Sequence, residues 1–184
     1  MMSEKEKEPE KKTAHRTVLK STEMDSKFKY EVSKIPGAEK IMLCFQCGTC
    51  TADCPVARFS ETYRPRQIMR MTQLGLKNKV LSSDVIWLCA ACFTCVDHCP
   101  QDVEIAAVLR ALRNLAVEEG YMPSVFKELA SSVQSTGLAY RIPELRLKKR
   151  EEVGLPPLPK TNVSDVAKLF EAIGFFKKIE GRKS

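Results

Sequence analysis

Cysteine is missing before residue 44 and after residue 99, although the chain of 184 residues contains eight of them. Long apolar runs are missing too: nothing approaches the roughly 18–20 residues that span a bilayer. No membrane association is therefore expected. The start, Met1 to Lys12, mixes Lys and Glu with no apolar stretch behind it, unlike a secretory leader. A cytoplasmic location is expected, where thiols stay reduced, and this argues against a disulfide framework. There is no Gly-rich phosphate loop, nucleotide fingerprint or activated nucleophile, so no substrate site of its own is expected. Period-two alternation is absent as well, and the expected fold class is mostly α.

Concentrated charge is also lacking. The formal net charge is +7, but it divides as +2 over residues 1–40, +2 over 41–100 and +3 over 101–184. A nucleic-acid footprint is a dense basic patch, so no nucleic-acid partner is expected.

The eight cysteines form an internal repeat. Cys44-x-x-Cys47-x-x-Cys50-x-x-x-Cys54-Pro55 recurs as Cys89-x-x-Cys92-x-x-Cys95-x-x-x-Cys99-Pro100, 45 positions later. A cuboidal iron–sulfur cluster needs four thiolates at four corners, and a C-x-x-C-x-x-C loop curls its backbone around three of them. Structural zinc takes two C-x-x-C pairs per ion and needs neither a third cysteine nor a repeat of the whole run. Two [4Fe–4S] clusters are thus the expected cofactors. In two-cluster ferredoxins the fourth cysteine of each run ligates the other cluster. Carried over here, that pattern assigns Cys44, Cys47, Cys50 and Cys99 to cluster I, and Cys89, Cys92, Cys95 and Cys54 to cluster II. No catalytic residue is assigned. Loaded with both clusters, the protein's net charge falls to about +3.

Smaller expectations attach to the loops. Gly48 lets backbone NH groups approach sulfur. Thr49 and Thr94 either hydrogen-bond the clusters or cap turns. His98 is either an exposed loop residue or a tuning charge. Trp87 either shields cluster II or fills the core.

The remaining chain reads as three parts. Residues 1–34 are a polar extension whose first dozen residues should be mobile, with a stretch from Val18 to Ile35 that a partner would order. Residues 35–123 hold the cluster domain. Within it a helix starts at Pro65 and stops at Gly75, a short turn follows Ser82–Asp84, and the strongest stripe, Val103–Ala116, ends at Gly120 and Pro123. Residues 124–184 form a helical and Pro-rich extension suited to partner docking. It comprises a helix from Ser124 to about Ser135 burying Val125, Phe126, Leu129 and Val133, an extended connector containing Pro143, Pro156, Pro157 and Pro159, and a last helix from about Ser164 to Ile179. Phe170, Phe175 and Phe176 would serve either as interface anchors or as a small core.

The two cysteine runs, the intervening Tyr63–Leu76 with Pro65-Arg66 and Leu74-Gly75, and the elements Ile86-Trp87-Leu88-Cys89 and Val103–Arg113 together resemble a known group. It comprises iron–sulfur subunits of succinate dehydrogenase and fumarate reductase, of glycerol-3-phosphate and glycolate dehydrogenases, and of heterodisulfide reductase. The resemblance covers about residues 38–123 and implies an α-helical ferredoxin-type domain. Succinate dehydrogenase subunits add a plant-type [2Fe–2S] domain and usually lack one ligand of the repeat; the dehydrogenase subunits continue into cysteine-rich CCG domains. Neither addition is seen here. The arrangement is most similar to the C subunits of the soluble heterodisulfide reductases of methanogenic archaea. That resemblance implies a relay within an oxidoreductase complex. A partner carrying flavin and iron–sulfur clusters delivers electrons, and a catalytic CCG-domain partner reduces the CoM-S-S-CoB heterodisulfide in methanogenesis. A hydrogenase or formate dehydrogenase module is a further implied partner. The alternatives are a relay for a thiol-dependent fumarate reductase or a sulfur-oxidising complex, a diffusible ferredoxin, and a two-zinc scaffold.

Overall fold

The computed structural model describes residues 19–140, 142–158 and 162–179. The expected mobile first dozen residues lie outside these. Among the described residues every regular element is helical, and there is no strand.

The core is built by two helices that each follow a cysteine run. Pro65 presets the first turn of α4 (Pro65–Gln73), because a helix needs no NH bond at that position. The helix buries Ile68, Met69 and Thr72, and the Thr72 hydroxyl is satisfied by the Ile68 carbonyl at 2.9 Å. Gly75 ends it at φ +79°, as the turn signal indicated. The counterpart, α7 (Ile105–Glu118), starts two residues later than the apolar stripe does and buries Val108, Leu109 and Leu112 completely. Each such side chain contributes roughly 1.5–3 kcal/mol by leaving water.

Around these two helices pack Tyr63, α5 (Lys77–Leu81), the 3-10 turns Glu39–Leu43 and Asp84–Leu88, and α1 (Phe28–Ser33). The second turn is capped by Ser83, whose side chain accepts from the Val85 NH at 3.2 Å. Helix α1 corrects an expectation. Phe28 and Val32 are fully buried in the common core, so the chain itself orders this stretch without a partner. Its entry is pinned where Asp25 NH donates to the Gly75 carbonyl at 2.7 Å.

Three further corrections fall in the C-terminal part. Helix α8 (Ser124–Thr136) forms as expected and stops at Gly137, but its apolar stripe is not buried. Val125 is 68% and Leu129 43% exposed; Phe126 and Val133 are only half-buried, and Ala130 alone is fully covered. Periodicity names the apolar side of a helix, not what covers it. The Pro-rich connector contains α9 (Glu144–Glu152), because Pro143 sits at the N-cap, where it starts a helix rather than breaking one. The last helix is two: α10 (Val163–Ala172) and α11 (Phe175–Ile179), separated at Gly174, φ +61°. Phe170, Phe175 and Phe176 pack on one another, with ring centroids 4.7–5.6 Å apart.

No helix among the described residues is long and apolar enough to cross a membrane.

Candidate metal centre

The sequence repeat is also a repeat in space. The 3-10 turn Glu39–Leu43 leads into Cys44 as Asp84–Leu88 leads into Cys89, again 45 residues on. Each run then closes into one helical turn, α2 (Thr49–Ala52) and α6 (Thr94–Asp97), and the two turns pack against each other. To bend around its contents each loop needs left-handed residues at matched positions. These are Gln46 (φ +68°) and Gly48 (φ +95°) in the first, and Ala91 (φ +51°) and Phe93 (φ +63°) in the second. Only Gly adopts such a conformation without steric cost. After Cys54, α3 (Pro55–Phe59) begins at once, with Pro55 in its first turn. After Pro100 the chain instead turns through Asp102 at φ +50° before α7 begins.

The thiols differ by depth, and the two runs nearly match. Cys50, Cys54 and Cys95 are buried, Cys44, Cys89 and Cys99 are half-buried, and Cys47 and Cys92 are exposed. The exposed pair is held below the ordinary thiol range by Thr hydroxyls, Thr49 at 3.4 Å from Cys47 Sγ and Thr94 at 3.5 Å from Cys92 Sγ. These contacts answer for both threonines: they touch ligand-type sulfur rather than capping turns by side chain. Burial pushes the inner thiols up, Cys50 to about 11 and Cys95 to about 12. Negative charge on Cys44, Cys47 and Cys99, the last from the second run, adds to the upward push on Cys50. Cys89, Cys50, Cys92 and Cys54 add to the push on Cys95 in the same way. One small recess, about 20 Å³, is lined by Cys44, Cys47, Cys50 and Cys99 with Gly48, Arg66 and Ile105 among its walls.

Other groups aim at the sulfurs or hold their loops. Gln46 Nε2 donates to Cys44 Sγ at 3.4 Å, the Ala91 NH to Cys89 Sγ at 3.4 Å, and the Val103 NH to Cys99 Sγ at 3.3 Å. Tyr63 is buried, and burial first, then the Cys89 thiol, pushes its phenol far up. Gln73 Nε2 clamps the first run, donating to the Ile41 and Cys44 carbonyls at 3.1 and 3.0 Å. Arg113 clamps the second, Nε to the Ile86 carbonyl at 3.0 Å and Nη2 to the Cys89 carbonyl at 2.7 Å. The clamped carbonyls are again 45 residues apart. Tyr63, Gln73 and Arg113 carry no motif, so spacing alone did not mark them. His98 is exposed but not idle: its Nδ1 lies 2.7 Å from Asp53 Oδ2, joining the residues that precede Cys99 and Cys54. Trp87 is half-buried, its ring 4.8 Å from Phe126 of α8 and 5.7 Å from the Arg113 guanidinium.

The donor set fits a multi-iron cluster. Among the described residues no three His, Cys, Asp or Glu side chains converge closely enough for a single metal ion, while Cys99 of the second run lines the same recess as Cys44, Cys47 and Cys50 of the first. Thiols as hard to ionise as Cys50 and Cys95 bind as thiolates only when a cationic core displaces their protons. Fold, thiols and spacing together define a small helical iron–sulfur protein of the two-cluster ferredoxin type.

Comparison with known proteins agrees. Residues 40–103 match the 4Fe-4S dicluster domain family, and the protein accordingly carries two [4Fe–4S] clusters. The chain is 35% identical over 164 residues to the C subunit of the H(2):CoB-CoM heterodisulfide,ferredoxin reductase of Methanothermobacter thermautotrophicus, covering 86% of this chain and 88% of that one. It is 36% identical over 176 residues to the iron-sulfur C subunit of the CoB–CoM heterodisulfide reductase of Methanopyrus kandleri, covering 89% and 91%. With the C subunit of the ferredoxin:CoB-CoM heterodisulfide reductase of Methanosarcina mazei it shares 39% over 133 residues, covering 71% and 80%. The chain belongs to the family of heterodisulfide reductase C subunits.

Proposed function

We propose that this chain is the electron relay of a cytoplasmic heterodisulfide reductase complex. It passes single electrons from a flavin-bearing partner to a CCG-domain partner that reduces the CoM-S-S-CoB heterodisulfide. The relay reading follows from what the fold offers: eight thiols in matched loops, with Cys99 of one run lining the recess of the other. One observation carries the ligand assignment, the lining of a single recess by Cys44, Cys47 and Cys50 together with Cys99 of the other run. Cluster I is assigned to those four, and cluster II to Cys89, Cys92, Cys95 and Cys54. Crossed ligation makes each run depend on the other and brings the clusters close enough to exchange electrons.

Residues 124–184 serve as the docking extension in this reading, because α8 and α10 keep Val125, Leu169 and Ile173 exposed. The upstream donor is less constrained than the acceptor. The names of the relatives pair the same heterodisulfide with hydrogen, with formate or with ferredoxin, so a hydrogenase or formate dehydrogenase module is an additional partner. Anaerobic purification of the tagged chain from its native cells tests the reading. The flavin-bearing and CCG-domain partners should copurify with heterodisulfide-reducing activity; recovery of the chain alone, active as a free electron carrier, would refute it in favour of a diffusible ferredoxin.

A further inference from the structure

The two runs are clamped at equivalent carbonyls by unlike groups. Gln73, which holds Ile41 and Cys44, is neutral; Arg113, which holds Ile86 and Cys89, carries a full positive charge. Arg113, on α7, is half-buried over the Trp87 ring, and among the described residues no carboxylate pairs with it. We propose that Arg113 sets the two clusters apart in potential, holding the second-run cluster above the first-run cluster. This inference rests on the two-cluster ligand assignment given above.

The physical reason is charge. One electron leaves the first-run cluster, oxidising it by one unit, and the same electron reduces the second-run cluster by one unit. Arg113 favours the side that gains the negative charge, and a half-buried guanidinium acts through a medium less polarisable than water. The other charges do not cancel this difference. Arg66 lines the first recess, but it is exposed, and water and salt screen it. The Asp53–His98 pair bridges the two runs and is shared by both. Lys40 and Asp102 neutralise each other at the surface. Neutral donors to sulfur run weakly the other way. Gln46, Thr49 and Val103 serve the first set; Ala91 and Thr94 serve the second. These neutral contacts occur on both sets, whereas a clamping full charge is present on one set alone, so the arginine decides. Forward flow then runs from the first run to the second.

The test is an anaerobic redox titration of the full chain, loaded with iron and sulfide and followed by electron paramagnetic resonance. Iron and sulfide are counted first: fewer than two clusters per chain overturns the cluster assignment before any potential is read. With two clusters present, two waves are expected. Arg113→Gln should lower the higher wave and leave the other in place, Arg113→Lys should keep it near its original position, and Gln73→Arg should raise the lower wave. The inference is overturned if Arg113→Gln moves neither wave or moves the lower one. It is equally overturned if Arg113→Lys shifts the wave as far as Arg113→Gln, since the clamp's geometry would then be the cause rather than its charge. The lysine and Gln73 variants keep the question open to an answer where Arg113→Gln fails to assemble.

Discussion

The first cysteine run and the second perform the same winding with different means. The first reaches its tight left-handed bend with Gly48, and the second forces Phe93 into the equivalent position. Pro55 leads at once into α3, whereas Pro100 is followed by a turn at Asp102 before α7 starts. A neutral amide clamps one loop and a guanidinium the other. The pair teaches that the geometry a cluster demands is narrow, while the residues that enforce it are free to differ. What cannot differ is the set of sulfurs. The sharpest way to break the comparison is therefore to remove the sulfur exchanged between runs. Cys99→Ser should cost the first-run cluster an iron or the whole cluster, leaving roughly half to seven-eighths of the iron, and spare the second. Cys54→Ser should do the reverse. Iron content and the paramagnetic spectrum of each variant check this. If Cys99→Ser instead damages the cluster of its own run, the crossed assignment is wrong.

The helices that follow the runs come next in expected effect. Helix α4 ends at Gly75, and a Cβ there would run into the Asp25 carbonyl oxygen in a backbone conformation already hostile to L side chains. Gly75→Ala should therefore destabilise the protein by about 2–4 kcal/mol, detaching the segment that feeds α1 into the core. A thermal unfolding comparison reads this directly. An unchanged midpoint would mean that the α1 entry contributes nothing to the fold.

How much of this was legible beforehand depended on whether a residue repeats or acts alone. The cysteine spacing was legible because four thiolates on one cuboid tolerate little variation. Helices α4 and α8 were legible because Pro65, Gly75 and Gly137 mark their ends in single residues. Helix α9 was hidden by its own prolines, since Pro143 starts it and Pro156 and Pro157 follow it. Burial was less readable than periodicity. Phe28 and Val32 of α1 turned out fully covered and the stripe of α8 largely bare, although each is a short apolar pattern amid polar residues. Tyr63, Gln73 and Arg113 lay within the segments that carried the resemblance, but their roles could not be read there. Each works through one side chain that reaches a distant loop, and such long-range pairings leave no local pattern.

Acidity sharpens the comparison on the side where the runs agree. In the chain stripped of iron, Cys50 and Cys95 hold their protons up to about 11 and about 12, against 9.0 for an ordinary thiol. Between pH 9 and those values the unfolded chain gives up protons that the folded chain retains. Stability from this source is thus fully present below pH 9 and drains away as the pH rises through both thiols. Denaturant midpoints of the iron-free chain should fall between pH 8.5 and about 11. Cys47 and Cys92, exposed and shifted the opposite way, should be alkylated first, at similar rates, with Cys50 and Cys95 last. Peptide mapping after brief iodoacetamide treatment checks the order. Unequal rates at Cys47 and Cys92 would show that the matching of the two loops does not extend to their chemistry.

The smallest effect isolates the left-handed bend itself. A Cβ added at Gly48 meets only the flexible Arg66 side chain, with Cδ nearest at 3.6 Å, so space is not the issue there and the positive φ is. Gly48→Ala should cost about 1 kcal/mol, the penalty for placing an L side chain in that region. Phe93 already carries this cost, and its ring is half in water, so it recovers little by burial. Phe93→Gly should therefore gain up to about 1 kcal/mol, less whatever packing the ring provides and the added freedom of the unfolded chain. The two variants are opposite halves of one experiment, and their shifts in unfolding midpoint should carry opposite signs. Should Phe93→Gly destabilise the loaded protein as Gly48→Ala does, the ring must hold the second loop closed through contacts the first loop does not need. The Phe would then be a third point, beside the arginine clamp and the Asp102 turn, at which the second run departs from the first.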